Sequence, residues 1–250
     1  MAAKRVVRKR VAKRGALSPL GRGDLATSLI LIFPLFLAYQ VGVVFSTSMN
    51  GVDFVTRNVY AAVGRDRQNY LIAHLVLGTG FVVYMLYLLR KRSFSFAVVP
   101  PLLLESTIYA LTLGSFIVFV MQQVLGFSIM MTINLDTVAL GKTGEAVVIS
   151  LGAGVYEELM FRLGLMAGGA ILLKRTGMEH FWAVGIALVV SALLFSGAHH
   201  VGALGDKFTW GVFTYRALAG VIFGLIFYYR SLAHAVYSHF LYDFYVLVIH

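Results

Sequence analysis

The chain has 250 residues, of which 59% are hydrophobic and 13% are charged, and its mean hydropathy is +0.83. Soluble domains carry about 25% charged residues, so this composition excludes an ordinary soluble protein and indicates an integral membrane protein. The absence of cysteine from the sequence excludes disulfides, thiolate metal sites and a cysteine nucleophile. The net charge of +10 does not indicate a nucleic-acid partner, because the basic residues are distributed as membrane topology requires.

A basic segment comes first in the chain. Residues 1–24 carry eight basic side chains, at Lys4, Arg5, Arg8, Lys9, Arg10, Lys13, Arg14 and Arg22. We interpret this segment as a cytoplasmic tail that sets topology and touches anionic lipid headgroups. It is not typical of a cleaved signal peptide, because the apolar run after it has the length of a membrane span and no small-residue cleavage site is evident.

Seven apolar segments follow, each near the length of about 20 residues that a membrane-spanning helix needs. They are residues 25–47, 71–89, 97–126, 145–173, 181–200, 210–229 and 231–249. The sequence therefore predicts an all-α fold, a polytopic transmembrane helical bundle with about seven to eight spans. The eighth arises if the long third segment, which contains Pro100 and Pro101, is two pieces. We assign residues 25–250 to a single integral membrane domain.

The connections between these segments alternate in charge. Fourteen basic residues fall in the segments predicted to face the cytoplasm, five fall in the outer loops, and Arg162 and Arg216 fall within spans. This asymmetry follows the positive-inside rule and predicts a cytoplasmic N-terminus and an external C-terminus.

The fourth span contains two carboxylates and a guanidinium, Glu157, Glu158 and Arg162. Each ionised group in the membrane costs about 3 kcal/mol on insertion scales, so such residues have a use or a partner. Glu158 and Arg162 are four residues apart and share a helix face, which predicts a structural ion pair. Glu157 is rotated by about 100° from Glu158 and is left for chemistry. The alternative for Glu157 is a protonated carboxyl group that hydrogen-bonds between helices.

The fifth and the last spans each add an ionisable group to the interior of the bundle. Phe195 and His199 are four residues apart at the end of the fifth span, and His239 and Asp243 have the same spacing in the last. The spacing places each pair on one helix face. The alternative for His239 and Asp243 is a hydrogen bond that only fastens helices together. We interpret His200 and His234 as interfacial.

These groups fit a hydrolase that acts on an amide inside the membrane. A buried carboxylate and a histidine can share the general-base step on one water molecule, and the groups of the last span can orient a carbonyl or hold an oxyanion. Zinc is an alternative, with His199, His239 and Glu157 as three ligands and one open position. Two other functions remain open: a proton-coupled transporter, because intramembrane carboxylates and histidines also build proton relays, and a catalytically silent membrane scaffold or chaperone.

Three motifs in this order on separate spans carry a resemblance to a known family. They are Glu157-Glu158-Xaa3-Arg162, Phe195-Xaa3-His199 and His239-Xaa3-Asp243. Together they resemble the CPBP family, the CAAX protease and bacteriocin-processing (Abi) group of intramembrane endopeptidases. The resemblance covers about residues 145–245, which would form the catalytic core.

The resemblance implies a role for each of these residues. Glu157 would activate water with His199, His239 and the residue at position 243 would help to bind the oxyanion, and Glu158, Arg162 and Phe195 would support them. It also implies a glutamate-dependent mechanism without a cofactor. The partners would be a membrane-anchored protein or peptide substrate and membrane lipid, with no nucleic acid.

Asp243 departs from the eukaryotic prenyl-protein endopeptidases, in which this position is Asn. An ionised Asp cannot donate a hydrogen bond to an oxyanion, so we expect Asp243 to orient His239 or to hold a proton, and we do not expect CAAX substrates. The chain is similar to bacterial members, including sorting peptidases of the myxosortase type that process C-terminal anchors of surface proteins. The expected location is the bacterial cytoplasmic membrane.

Overall fold

A computed structural model of the chain describes residues 24–45, 62–91, 94–127, 143–201 and 207–249. Within these ranges the regular elements are all helical. The α-helices are α1 (Leu25–Phe45), α2 (Arg67–Lys91), α3 (Val99–Phe119), α4 (Thr143–Gly152), α5 (Gly168–Arg175), α6 (His180–Ala198), α7 (Trp210–Tyr229) and α8 (Leu232–Phe244). Most of the basic tail that the sequence predicts at residues 1–24 lies outside the described residues.

Each of the seven predicted segments is helical where the structure describes it. The fourth is a continuous run from Thr143 to Arg175, in which α4 and α5 are joined by the wider π-helical stretches Ala153–Glu157 and Leu159–Ala167. The third is one helix that extends from the short 3₁₀ turn Phe96–Val98 to the end of a π turn at Val124. This third segment therefore does not supply an eighth span.

The two prolines of the third segment lie in its first turn and do not interrupt it. Proline lacks a backbone N–H, and the first N–H groups of a helix have no intrahelical acceptor in any case, so proline is tolerated there.

Five helices in the described part of the chain are long and apolar enough to cross a membrane. They are Leu25–Gly42, Gln68–Lys91, Phe96–Val124, His180–Ala198 and Trp210–Tyr229. The protein is therefore an integral membrane protein of the polytopic helical class. The other two predicted spans, around α4–α5 and α8, hold the glutamates and the His–Asp pair.

Helix α8 lies at the centre of the bundle and packs against α1, α3, α4 and α7. Its inward face consists of small or apolar side chains together with His239, which is 4% exposed. By contrast, α2 exposes Leu75 and Val76, and α6 exposes Phe181 and Trp182. An apolar exterior around a partly polar interior is the arrangement that lipid favours, because polar groups then meet protein instead of hydrocarbon.

An ion pair between Glu105 and Arg230 fastens α3 to the start of α8. His234 Nε2 lies 3.6 Å from Glu105 Oε2, and its Nδ1 lies 2.7 Å from Ser231 Oγ. Glu105 is near the start of α3 and Arg230 lies two residues before α8, so these two helices begin at the same end of the bundle. The two helices therefore run in the same direction, as the predicted topology requires for the third and the last spans. His234 therefore belongs to the cluster of Glu105 and Arg230 and not to the predicted site.

Gly220 allows α7 to approach α6 closely. A Cβ atom added to Gly220 would lie 3.0 Å from the Cα of Ala192 and 3.1 Å from its Cβ. By contrast, a Cβ added to Gly185 of α6 would meet nothing within 4 Å among the described residues.

We predict that Gly220→Ala destabilises the bundle by about 1–3 kcal/mol, because the added methyl group forces the two backbones apart. The matched control Gly185→Ala should be neutral or stabilising by up to about 1 kcal/mol, since alanine favours helix and the space is open. Denaturant unfolding of the purified protein in detergent measures both. Equal stability of the two variants would contradict the packing described for Gly220.

Candidate active site

The helix that carries the two glutamates is widened on both sides of Glu158. The stretches Ala153–Glu157 and Leu159–Ala167 have π-helical hydrogen bonding, which is rare and occurs often at functional sites. Sequence reasoning assumed ideal α geometry here and missed the widening. Glu157 and Glu158 therefore lie where the helix changes its local winding, and both are buried, with 4% and 0% exposure.

A glycine brings this helix against α8. A Cβ atom added to Gly154 would lie 2.9 Å from the backbone nitrogen of Phe240 and 3.0 Å from its Cα. Only a residue without a side chain allows the backbone of α8 this close. Because Phe240 follows His239, the close approach places the imidazole of His239 beside both glutamates.

The carboxylate of Glu158 has two partners. Its Oε2 lies 3.0 Å from Arg162 Nε, and its Oε1 lies 2.8 Å from His239 Nδ1. The sequence predicted the first contact from the i,i+4 spacing. It did not predict the second, which joins residues 81 positions apart. A buried carboxylate is stable only when its charge is compensated, and Arg162 and His239 together provide that compensation.

Aromatic rings surround the cationic side of this network. The guanidinium carbon of Arg162 lies 4.6 Å from the ring centroid of Phe195 and 5.6 Å from that of Phe223, and such contacts favour a cation. The ring of Phe223 also stacks on His239, with centroids 4.5 Å apart and an interplanar angle of 16°. Phe195 thus lies beside Arg162, and its supporting role stays a prediction. Phe223 is a site residue that sequence reasoning missed, because a phenylalanine in a span carries no distinguishing signal.

Glu157 faces two histidines but forms no hydrogen bond with either. Its Oε2 lies 3.6 Å from His199 Nε2 and 4.0 Å from His239 Nε2. Within the described ranges, neither of its carboxylate oxygens has a hydrogen-bond partner, although both are buried. The two adjacent glutamates therefore differ in kind: Glu158 is held by its neighbours, whereas the carboxylate of Glu157 is available to a substrate or a water molecule.

The tautomer of His199 follows from its backbone contact. His199 Nδ1 lies 2.8 Å from the carbonyl oxygen of Phe195. A carbonyl oxygen only accepts, so Nδ1 carries the proton and neutral His199 presents the lone pair of Nε2 toward Glu157. This nitrogen can accept a proton in the space between the two side chains.

Asp243 lies at the more open side of the site. Its Oδ2 is 3.5 Å from His239 Nε2, and its side chain is 22% exposed, against 5% for that of His239. The sequence predicted that Asp243 orients His239 or holds a proton. The shorter contact of His239 is with Glu158, so the orientation of the ring depends mainly on Glu158, and Asp243 faces the nitrogen at the opposite edge.

A protein-family model described as Type II CAAX prenyl endopeptidase Rce1-like matches residues 139–245. Over this segment the chain is similar to that family, which is part of the CPBP group. It contains the residues of the predicted site, which are Glu157, Glu158, Arg162, His199, His239 and Asp243. Helices α1, α2 and α3 lie outside it. No curated protein and no solved structure matches the chain.

The similarity to the Rce1-like family supports part of the function predicted from the motifs. The family is one of intramembrane endopeptidases that act on membrane-associated proteins, so the predictions of a membrane protein and of a CAAX protease-like hydrolase are confirmed. The matching model is named for the CAAX branch, so it gives no support to the expectation that Asp243 excludes CAAX substrates. The myxosortase subtype, the bacterial location and the roles of individual residues stay predictions.

The zinc alternative receives no support from the geometry of the Rce1-like segment. Within the described part of the chain, no group of three or more histidine, aspartate or glutamate side chains has the arrangement of a metal site. Glu157, His199 and His239 are close together but do not form such a group, and we derive no metal-dependent step from them.

We predict that Arg162→Met destabilises the Rce1-like segment by about 3–5 kcal/mol, because it leaves the buried charge of Glu158 without its main compensation. Adding Glu158→Gln to Arg162→Met should recover part of this loss, since the charge is then removed as well. Thermal unfolding of the single and double variants in detergent measures the coupling. A double variant less stable than Arg162→Met alone would show that the pair is not coupled in this way.

Proposed function

We propose that the protein is a glutamate-dependent intramembrane endopeptidase that hydrolyses a peptide bond of a membrane-anchored protein or peptide. The observation that supports this most is the contrast between the two glutamates. Glu158 is ion-paired with Arg162 and hydrogen-bonded through Oε1 to His239. Neither oxygen of Glu157 has a hydrogen-bond partner among the described residues, and its Oε2 lies 3.6 Å from His199 Nε2. A buried carboxylate kept without a bond has a use that offsets its cost.

In the proposed first step, Glu157 and His199 hold the attacking water. One of them takes a proton from the water as its oxygen forms a bond to the carbonyl carbon of the substrate. The carbonyl π electrons move to the carbonyl oxygen, which becomes the oxyanion of a tetrahedral intermediate. The lone pair of His199 Nε2 points toward Glu157, so the two proton acceptors face the same small space between them.

In the second step the intermediate collapses. The oxyanion re-forms a carbonyl, the carbon–nitrogen bond breaks, and the leaving nitrogen receives the proton that was taken from water. The products are a new carboxyl terminus and a new amine, and the site returns to its starting protonation state. No cofactor is required by this balance.

His239 is the proposed donor to the oxyanion. Its Nδ1 is bonded to Glu158, so the ring is held with Nε2 directed toward Glu157 and Asp243. When both ring nitrogens carry protons, Nε2–H can donate to an oxygen in this space. Asp243 faces the same nitrogen, where its carboxylate favours that protonated ring, or where its carboxyl group in protonated form can itself donate.

The orientation and the substrate class are also proposals. The distribution of basic residues supports a cytoplasmic N-terminus, and we place the protein in a bacterial cytoplasmic membrane. Two substrate classes fit: CAAX-type C-termini, which the family name suggests, and C-terminal membrane anchors of surface proteins, which the sorting-peptidase interpretation suggests.

We predict that Glu157→Gln and His199→Ala each lower the rate of cleavage by about 10²–10⁴-fold, because each removes an acceptor for the proton of water. The matched control is Glu105→Gln, whose carboxylate pairs with Arg230 away from the site. Mass spectrometry of the N- and C-termini of membrane proteins, in cells that express each variant at equal level, measures the effect. One set of processed ends should vanish in both site variants and persist in the control.

Unchanged ends in both site variants at equal protein levels would contradict the peptidase. Of the remaining functions, a scaffold would tolerate Glu157→Gln fully. A proton-coupled transporter would lose uptake of its solute with no change in any protein terminus.

We predict a different pattern at position 243. Asp243→Asn should keep the cleavage rate within about tenfold of wild type, because an amide can donate to the oxyanion. Asp243→Leu should lose about 10²–10³-fold, because it has no polar group to offer. Cleavage kinetics on the peptide whose processing Glu157→Gln abolishes measures both variants. Equal losses in the two variants would show that a carboxylate, and not a donor, is needed there.

We predict that metal chelation leaves the cleavage rate unchanged, since the proposed steps need only side chains of the chain itself. Activity measured with and without 1,10-phenanthroline, followed by added zinc, tests this. A loss of activity that zinc restores, and that an inactive chelator isomer does not cause, would establish the zinc alternative instead.

A further inference from the structure

A chain of partly buried hydrogen bonds reaches the helix that carries Glu157 from α1 and α2. Gln40 Nε2 of α1 donates to the hydroxyl oxygen of Tyr156 over 2.7 Å. Gln40 Oε1 lies 2.7 Å from Nδ1 of His74 in α2. Because the amide oxygen only accepts, Nδ1 of His74 carries the proton. The direction of the chain is therefore fixed, from His74 to Gln40 to Tyr156.

This chain is partly buried in the bundle, since Gln40 and Tyr156 are half-buried and His74 is buried. His74 is 6% exposed although α2 is the least buried of the five candidate spans, and the centroid of its ring lies 4.3 Å from that of Tyr70. Tyr156 packs against two rings of α1, Tyr39 at 5.2 Å and Phe36 at 6.2 Å. Hydrogen bonds in such surroundings are costly to break, because the groups left behind are poorly hydrated.

Tyr156 directly precedes Glu157, and both belong to the π-helical stretch Ala153–Glu157. The carboxylate of Glu157 has no hydrogen-bond partner of its own within the described ranges. Its direction is therefore set by the backbone that carries it. The contacts of that backbone are Phe240 of α8 at Gly154 and, on the side of α1, the anchored ring of Tyr156.

We propose that the chain His74–Gln40–Tyr156 positions Glu157 by holding the π-helical stretch in place. The expected effect of this chain on the cleavage rate rests on the proposed function, whereas its expected effect on the stability of the π-helical stretch does not. His74, Gln40 and Tyr156 are positioning residues, because none of them touches the reacting atoms. Helices α1 and α2, outside the Rce1-like segment, thereby take part in catalysis.

The first test needs no substrate. Hydrogen exchange of the purified full-length protein in lipid nanodiscs measures how often the backbone amides of residues 153–158 open. Tyr156→Phe and His74→Leu should each raise exchange of this segment by about tenfold. His74→Asn should restore it, since the amide nitrogen of Asn can occupy the place of Nδ1 and donate to Gln40.

A matched control removes a similar bond elsewhere. Tyr228 and His180 form a 3.0 Å tyrosine–histidine hydrogen bond between α7 and the start of α6, about 28 Å along α6 from His199. Tyr228→Phe should leave exchange of residues 153–158 unchanged. Unaltered exchange in Tyr156→Phe, or an equal rise in Tyr228→Phe, would overturn the proposal.

The second test uses the peptide whose cleavage Glu157→Gln abolishes. Tyr156→Phe and His74→Leu should each lower kcat by about tenfold with KM unchanged. The double variant should lose no more than either single variant, because one break already disconnects the chain. Losses that multiply to about a hundredfold would mean that Tyr156 and His74 act independently, and this result would overturn the proposed chain His74–Gln40–Tyr156.

The two tests separate two failures. If Glu157→Gln abolishes no cleavage, the proposed function fails, and the exchange experiment still decides the positioning chain. If cleavage depends on Glu157 but exchange of residues 153–158 does not depend on Tyr156 or His74, only the positioning chain fails.

Discussion

The buried carboxylate of Glu158, shared between Arg162 and His239, is the interaction on which the site depends. It connects the π-helical part of the helix that carries Glu157 and Glu158 to α8. It also fixes which nitrogen of His239 faces the reaction space. An unpaired charge at this depth would be strongly destabilising, so the position of His239 and the stability of the bundle are coupled through one side chain.

This arrangement separates two tasks that adjacent glutamates could otherwise share. Glu158 is compensated by a guanidinium, an imidazole and the nearby rings of Phe195 and Phe223. Glu157, one residue earlier, faces His199 and His239 beyond hydrogen-bond distance. The packing that makes the separation possible includes Gly154, at which the backbone of α8 approaches too closely for any side chain.

The sequence predicted the features that follow from apolar run length and from helix periodicity. The seven helical segments follow from the apolar runs. The Glu158–Arg162 pair and the neighbouring positions of His239 and Asp243 follow from spacing along one helix, and the structure has all of these features. The Glu158–His239 bond depends on how two helices pack, which spacing does not reveal. The stretches of π-helix were missed because the spacing argument assumes ideal α geometry, and the bond between Gln40 and Tyr156 was missed because it joins residues 116 positions apart.

The division of tasks between the glutamates is tested most directly by measuring thermal stability and turnover together in Glu157→Gln and Glu158→Gln. The account predicts that Glu157→Gln abolishes turnover and melts at or above the temperature of the wild type, because it removes a buried charge that has no bond to lose. Glu158→Gln should melt several degrees lower, since Arg162 is left uncompensated. Equal destabilisation by the two substitutions, or full turnover in Glu157→Gln, would contradict the account.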